Sequence, residues 1–163
     1  MSMEMHVFSD RQLASIAEWQ GAIDAEGYSL RLDRDVQFAT ARGFIPAIYN
    51  GEQSGFEGYH DDAKETMGFL GNEHFDHPWR CALGFRWGGN FDEMYAAWMA
   101  ATAYAVRTDG VIFDNQEARS YTPQQARELI SQMLRDQPRI DALMQVAAGK
   151  LSKKLTSDGR SEP

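Results

Sequence analysis

The strongest constraint on the fold lies in residues 80–126, where strand-like, turn-like and helix-like segments follow one another: RCALGFRWGGNFDEMYAAWMAATAYAVRTDGVIFDNQEARSYTPQQA. The short apolar run at 81–87 is typical of a buried strand, and two glycines end it. Residues 91–107 are apolar on nearly every side of a helix, which indicates a helix buried between layers. GVIFD at 110–114 predicts a short inner strand. We therefore expect a sheet packed against helices.

The N-terminal half of the chain predicts further strands. Tyr28–Asp33 alternates apolar and polar residues, as a half-buried strand does. FIPAIYN at 44–50 and SGFEGYH at 54–60 flank the dipeptide Asn50–Gly51, the commonest signal for a β-hairpin. Pro46 cannot donate a ladder hydrogen bond, so it indicates an edge or the start of a strand. A short helix is expected over residues 61–70.

Two longer helical regions flank these strands. Ser9 and Gln12 have the spacing of a capping box and predict a helix that ends at Gly27. Thr122 and Pro123 predict the start of a C-terminal helix. Because Pro138 interrupts the apolar stripe that follows, we expect a pair of helices there.

Together these elements predict an α+β fold. We expect one domain over residues 1–150, with a largely antiparallel sheet of about four or five strands, the long buried helix 91–107 and the C-terminal helical pair. The polar segment 151–163 is expected to be a flexible tail.

Charge is distributed unevenly along the chain of 163 residues, whose net charge is −8. Residues 1–77 hold 14 acidic and 5 basic residues, and the acids are densest in 50–77, where Lys64 is the single base. A negative surface repels nucleic-acid phosphates and anionic membranes and attracts basic proteins. We therefore expect a basic protein partner, and neither a nucleic acid nor a membrane.

Several classes of protein are disfavoured by what the sequence lacks. Its one cysteine, Cys81, excludes an intramolecular disulfide and a cysteine-rich zinc site. The first ten residues resemble no signal peptide, and no run approaches the ~18 apolar residues of a membrane span. A cytoplasmic protein is expected. Nucleophile elbows and phosphate-binding loops are likewise missing, so we expect no cofactor and favour binding over catalysis.

The predicted hairpin and the segment after it carry the candidate partner-binding residues. Aromatic residues that alternate along the hairpin anchor an interface if their rings are displayed beside acids, and otherwise fill the core face. The candidate interface consists of Glu52, Phe56, Glu57, Tyr59, Asp61, Asp62 and Glu65.

A metal site is the alternative use of the same region. Imidazole and carboxylate are ligands for zinc, manganese or iron, and three histidines lie among the acids here: His60, His74 and His77. Their spacing does not set two of them on one helix face, as an i,i+4 pair would. No metal is therefore the expectation, and a small metal-dependent hydrolase that uses these histidines is kept as an alternative.

Segments across residues 9–135 carry a family resemblance. AIDAEGYSLRLD, GFIPAIYNG, SGFEGY and the long segment from FRWGG onward, which includes Gly88, Gly89 and Glu93, resemble small bacterial proteins. Some of those are immunity proteins encoded beside toxins of contact-dependent or type VI secretion systems. The resemblance implies a non-catalytic protein that binds and neutralises a cognate antibacterial toxin. Such families bind through variable surfaces, so it implies no site residues.

A third hypothesis is an adaptor domain that self-associates. The helix predicted over residues 91–107 is rich in alanine, which permits close approach of a second helix. If that helix is exposed along one side, two copies of the chain can pack together through it.

Overall fold

The computed structural model describes residues 2–158, and it contains one antiparallel sheet with seven strands. Their order across the sheet is β2-β3-β4-β5-β1-β6-β7, and every neighbouring pair is antiparallel. The strands are β1 Met3–Ser9, β2 Leu30–Leu32, β3 Arg42–Tyr49, β4 Glu52–Asp61, β5 Cys81–Trp87, β6 Val111–Asp114 and β7 Arg119–Tyr121.

Four α-helices accompany the sheet, so the α+β prediction is confirmed. They are α1 Ile16–Ala25, α2 Ala63–Leu70, α3 Phe91–Thr108 and α4 Pro123–Asp158, with short 3-10 turns at Phe38–Thr40 and Asn72–His74. The part of the chain that the structure describes contains no helix that is both long and apolar enough to cross a membrane.

The predicted number of strands was too small because β1 and β7 were overlooked. β1 lies near the centre of the sheet, between β5 and β6, and β7 lies at its edge. The residues of β1 alternate, with Met5 and Val7 on one face and His6 between them on the other. The predicted capping box was also wrong, since Ser9 ends β1. Ser15 caps α1 instead, its side chain accepting a hydrogen bond from the Glu18 backbone N–H.

The hairpin β3–β4 is confirmed, together with its turn. Asn50 and Gly51 both adopt positive φ, 50° and 80°, as a two-residue hairpin turn of the primed type requires. Pro46 lies within β3, opposite the residue that follows β2. The Pro46 carbonyl accepts a hydrogen bond from the Asp33 backbone N–H. Proline has no backbone N–H and cannot donate a hydrogen bond in the other direction, and β2 ends at Leu32.

The free edge of β2 is blocked by a side chain rather than left open. The Gln20 amide donates to the Leu30 carbonyl and accepts from the Leu32 backbone N–H, at 2.9 and 2.8 Å. These two contacts imitate a neighbouring strand, so the edge offers fewer free backbone groups to another chain. Gln20 therefore attaches α1 to the sheet and also protects its edge.

One face of the sheet is fully covered, and we call it the covered face. It packs against α1 and α3. Trp19 of α1 contacts the rings of Phe56 and Phe85 and donates its indole N–H to the Ala100 carbonyl of α3. The long buried helix is thus confirmed. The sheet residues buried on this face include Met5, Val7, Leu30, Leu32, Ile45, Tyr49, Phe56, Leu83, Phe85 and Ile112.

The opposite face is covered only in part. There α2 and the loop after it bury a small apolar cluster over β1, β5 and β6: Phe8, Ala63, Met67, Ala82 and Phe113, with Leu70, Phe75, Trp79 and Val111 packed around it. The outward residues of β3, β4 and the first part of β1 remain accessible. We call this uncovered part the open face, and its residues include Glu4, Phe44, Glu57, Tyr59 and Arg86.

The C-terminal region differs from the expected pair of helices. Thr122 caps α4 in a reciprocal capping box with Gln125, as the Thr–Pro signal predicted. The helix then continues through Pro138 to Asp158. Pro138 has no backbone N–H, so the helix hydrogen bond to the Leu134 carbonyl is missing. Both residues are exposed, so water can bond to that carbonyl.

The chain consists of two compact units, which meet in sequence between Arg127 and Glu128, within α4. Of the predicted flexible tail, residues 151–158 belong to α4 and the remainder lies outside the described residues.

Candidate functional site

The open face carries a row of charged and aromatic side chains. Arg86 of β5 lies opposite Glu4 of β1 on one side and Glu57 of β4 on the other. It donates to Glu4 at 2.9 Å, and its guanidinium lies 5.5 Å from the centre of the Tyr59 ring. The hydrogen bond to Glu4 raises the pKa of Arg86, while partial burial and the neighbouring Glu57 raise the pKa of Tyr59. Both side chains therefore keep their charge states at neutral pH.

A glycine creates a gap in the next row of the sheet. His6 of β1 lies opposite Gly84 of β5, and Gly84 lies opposite Tyr59 of β4. A Cβ atom at Gly84 would approach Asp61 Oδ2 to 3.0 Å and His6 Nε2 to 3.2 Å. Because Gly84 has no side chain, His6 and Asp61 extend toward each other over its backbone.

The orientation of His6 is determined by Asn115, which follows β6. His6 Nδ1 lies 3.1 Å from Asn115 Oδ1, an acceptor, so neutral His6 carries its hydrogen on Nδ1. Its other nitrogen, Nε2, faces Asp61 Oδ2 at 3.6 Å, too far for a hydrogen bond. His6 is only 6% exposed and also stacks on Phe8. A nearly buried imidazole thus presents one ring nitrogen to a carboxylate.

Helix α2 forms the rim of the pocket above this pair. Asp62 caps the helix by accepting from the Glu65 backbone N–H, and this turn holds both acids beside Asp61. Phe69, one turn further on, is 90% exposed. The resulting pocket has a volume of about 380 Å³ and is lined by Glu4, His6, Asp61, Asp62, Glu65, Thr66, Phe69, Leu70 and Asn115. An acidic concavity with an apolar rim is suited to a cationic side chain.

The residues predicted to bind a partner fall into three groups. Asp61 at the end of β4, Asp62 at the cap of α2 and Glu65 on α2 line one pocket, and Glu57 and Tyr59 lie farther back along the same side of β4. Glu52 is exposed at the turn end of the hairpin, away from this group.

Phe56 belongs to the covered face, and we remove it from the candidate interface. It is 1% exposed and packs against Trp19 and Phe85. The alternation along β4 explains the error, since residues one apart in a strand point to opposite faces.

The histidines considered as metal ligands have separate partners. His60 lies 2.8 Å from the Phe38 carbonyl, His74 lies near Phe113, and His77 lies 2.7 Å from Asp10. Within residues 2–158, no group of three or more histidine, cysteine or acidic side chains is arranged to hold a metal ion. The geometry therefore does not assemble the metal-ligand set of the hydrolase alternative.

Cys81 has none of the features of an activated nucleophile. It begins β5 and is partly buried. Burial raises the pKa of its thiol, and the nearby carboxylate of Asp10 raises it further. Because the thiolate is the reactive form, a raised pKa makes Cys81 less reactive at neutral pH.

The alanine-rich helix offers no free side for self-association. Twelve of the 18 residues of α3 are buried, including every alanine. They pack against the sheet and α1, whose Trp19 bonds to the α3 backbone. The alanines therefore serve close packing within the chain.

A second concavity is a groove of about 760 Å³ at the end of β2. Its walls combine opposite charges, Arg31 and Arg34 beside Asp33 and Asp35, with the exposed apolar residue Phe44. This mixture of charges favours no single class of ligand, so the smaller acidic pocket is the better-defined site.

Sequence reasoning missed His6, Gly84 and Asn115, which shape the pocket. The signal for His6 was present, because Met3, Met5 and Val7 alternate with Glu4, His6 and Phe8 in the manner of a strand. Nothing local marks Asn115, which reaches His6 across 109 positions of sequence. Such a pairing depends on the order of strands in the sheet, which a single sequence does not show.

Comparisons with known proteins found no match to the chain among family models, curated proteins or solved structures.

Proposed function

We propose that this protein is a non-catalytic binding protein of the cytoplasm that uses its acidic open face to bind a basic protein partner. The partner class we propose is a cognate antibacterial toxin domain, which the protein neutralises as an immunity protein does. The class of partner rests on the resemblance described from the sequence. The placement of the interface rests on the structure of the open face and α2.

The observation that supports this interface is a group of accessible acids, Asp62 and Glu65 exposed and Glu57 half-buried, beside accessible aromatic rings. Glu57, Asp62 and Glu65 lie on adjacent elements. Tyr59 and Phe69 provide ring surface beside them, and Phe69 is the most exposed large apolar residue among those described. Interfaces commonly combine a central aromatic anchor with a polar rim. Complementary charge also accelerates association, which helps a protein that must capture a toxin before it acts.

Affinity capture with a matched pair of variants tests this proposal. The purified protein, Glu57→Lys/Glu65→Lys and Asp35→Lys/Glu52→Lys serve as baits in a lysate of the source organism, with mass spectrometry as the readout. The two double variants change the net charge equally, but only the first alters the proposed interface. We expect one basic protein to be retained by the native bait and the second variant, and at least tenfold less by the first.

Equal recovery of that protein on all three baits would place the interface elsewhere. Recovery that fell equally for both double variants would indicate nonspecific attraction to net negative charge, and the proposed interface would be abandoned.

A second candidate function, self-association, is favoured by the C-terminal part of α4. Ile140, Met144, Ala147 and Leu151 follow the four-three-four spacing of a coiled-coil seam. Met144 and Leu151 are exposed. An antiparallel pairing of two copies, centred between residues 145 and 146, sets Ile140 opposite Leu151 and Asp141 opposite Lys150.

Light scattering over a range of protein concentrations tests this pairing. Met144→Ser/Leu151→Ser removes the two exposed apolar residues of the seam, and Ala142→Ser/Gly149→Ser introduces serine twice on the opposite side of the helix. We expect a dimer for the native chain and the second variant, and a monomer for the first. A native chain that stays monomeric at the highest concentration would exclude self-association through α4.

A further inference from the structure

The open face carries an apolar strip along β3. Phe44, Pro46 and Ile48 alternate along the strand on this face, and we call them the β3 strip. Phe44 and Ile48 are exposed, and the Phe44 ring lies over Gly55 of β4, where a side chain would collide with it. The strip also lines the groove at the end of β2. From Phe44 to Ile48 it measures about 13 Å.

A second apolar strip lies on the C-terminal part of α4. It consists of Ile140, Leu143, Met144, Ala147 and Leu151, which fall on one side of the helix, and we call it the α4 strip. Leu143, Met144 and Leu151 are each more than half exposed. From Ile140 to Leu151 the strip measures about 16 Å. The two strips are therefore similar in length, and both present apolar side chains to water.

Charge indicates which surface suits the α4 strip. Residues 139–154 contain four basic residues and one acidic residue, a net charge of +3. Two α4 helices that paired with each other would bring two such charges together. Residues 1–127, which include the whole open face, contain 10 basic and 19 acidic residues, a net charge of −9. The surface of opposite charge attracts the helix, whereas a second α4 repels it.

The charges beside the two strips also correspond. When the α4 strip faces a sheet, Lys150 and Lys154 lie along one flank of the helix and Asp141 lies along the other. Beside the β3 strip, Glu57 lies on β4 and Arg31 lies on β2, both on the open face. One of the two directions of the helix along β3 sets its basic flank toward Glu57 and Asp141 toward Arg31. A helix of this kind matches both signs of charge around the groove.

We propose that the α4 strip packs on the β3 strip of a second copy of this chain. Two copies that exchange helices reciprocally form a closed dimer with two identical contacts, which covers both strips in each copy. The inference rests on the second candidate function, self-association, and makes the open face, rather than another α4, the surface that receives the helix. It does not depend on the toxin partner.

Two double variants of the full chain test the exchange by complementation. Met144→Ser/Leu151→Ser disrupts the α4 strip, and Phe44→Thr/Ile48→Thr disrupts the β3 strip with residues that suit a strand. Sedimentation velocity over a range of concentrations is the measurement. We expect a dimer for the native chain and at least tenfold weaker dimerisation for each variant alone. In an equimolar mixture, the intact helix of one variant meets the intact β3 strip of the other. The mixture should therefore form a dimer where each variant alone is monomeric.

Phe69→Ser is the matched control, because it removes an exposed ring that belongs to neither strip. It should dimerise as the native chain does. A native-like amide spectrum for each variant confirms that it is folded.

Salt gives a second measurement that needs no variant. Raising sodium chloride from about 0.05 M to about 0.5 M should weaken the native dimer, because screening reduces the attraction between opposite charges. Two paired α4 helices would show the reverse, since screening would reduce their repulsion.

Three results would overturn the inference and still allow self-association through paired α4 helices. They are native-like dimerisation of Phe44→Thr/Ile48→Thr, an equimolar mixture that stays monomeric, and a native dimer that becomes tighter as salt is added. A native chain that stays monomeric at the highest concentration would reject both the inference and the second candidate function. The toxin proposal is judged separately, by affinity capture.

Discussion

The two faces of the sheet are built from the same strands, yet they differ in what their side chains contact. On the covered face, Trp19 alone contacts four aromatic rings, those of Phe38, Phe56, Phe85 and Tyr104. On the open face, the corresponding positions carry charged groups, two accessible rings and a glycine gap. Because side chains alternate along a strand, one set of residues stabilises the fold while the other is free to form a site.

The difference between the two faces also predicts which substitutions change stability and which change binding. Burial of apolar area and close packing on the covered face provide most of the stabilising free energy. Exposed ion pairs such as Arg86–Glu4 contribute little, typically less than about 1 kcal/mol. Substitutions on the open face should therefore alter binding with little effect on unfolding, and substitutions on the covered face should do the reverse.

The largest expected effect is loss of the central tryptophan of the covered face. Trp19→Ala should lower the free energy of unfolding by about 4 kcal/mol, because it leaves a cavity and removes the indole hydrogen bond to the Ala100 carbonyl. Urea denaturation provides the measurement. Phe44→Ala is the matched aromatic change on the open face, and it should cost less than about 1 kcal/mol because that ring is 59% exposed. Equal losses for the two variants would contradict the division between the faces.

A smaller effect is expected from raising the pH. Burial raises the pKa of Tyr104 to about 12, while its oxygen accepts a hydrogen bond from the Leu13 backbone N–H. The folded state favours the neutral phenol, so this stabilisation is complete below about pH 10 and declines as the pH rises toward 12. The loss should approach about 3 kcal/mol.

Absorbance titration at alkaline pH, compared between the native chain and Tyr104→Phe, isolates this tyrosine. Urea denaturation of both proteins over the same pH range gives the accompanying change in stability. If the difference titration showed Tyr104 ionising near its ordinary value, the close packing assigned to the covered face would be wrong at this position.

The smallest effect on stability is expected at the glycine gap of the open face. Gly84→Ala places a methyl group against the ends of two side chains, which can move aside, so unfolding should change by less than about 1 kcal/mol. Urea denaturation of Gly84→Ala beside the native chain measures this change. A loss of more than about 2 kcal/mol would show that the glycine gap is packed as tightly as the covered face.

Much of the fold could be predicted because its signals are local. The hairpin around Asn50–Gly51, the strand ended by Gly88 and Gly89, and the buried helix that follows depend on periodicity and turn residues within short segments. The structure confirms these elements. Thr122–Pro123 likewise predicted the start of α4 correctly.

The errors arose where distant contacts decide the structure. β1 is a central strand whose partners, β5 and β6, lie more than 70 residues away in sequence, and Ser9 offered a competing helix signal. Pro138 was expected to break a helix, but exposure makes its missing hydrogen bond tolerable there. Phe56 was assigned to the interface because composition alone does not say which face of β4 is covered.

The acidic segment was predicted, but the pocket within it was not. Asp61, Asp62 and Glu65 were candidates because of their charge and proximity in sequence. The pocket also requires His6, Gly84 and Asn115 from three other parts of the chain. Their convergence follows from strand order and register, which depend on pairing throughout the sheet.

The most direct test of the central claim is a map of where a basic ligand binds. An octa-arginine peptide is titrated into isotope-labelled protein, and backbone amide shifts are recorded at low and at moderate salt. We expect the largest changes in residues 57–66 and 84–86, smaller changes at the other acids, and weaker binding at higher salt. Changes of equal size at all exposed acids, or centred on residues 24–35, would contradict the assignment of the open face as the binding face.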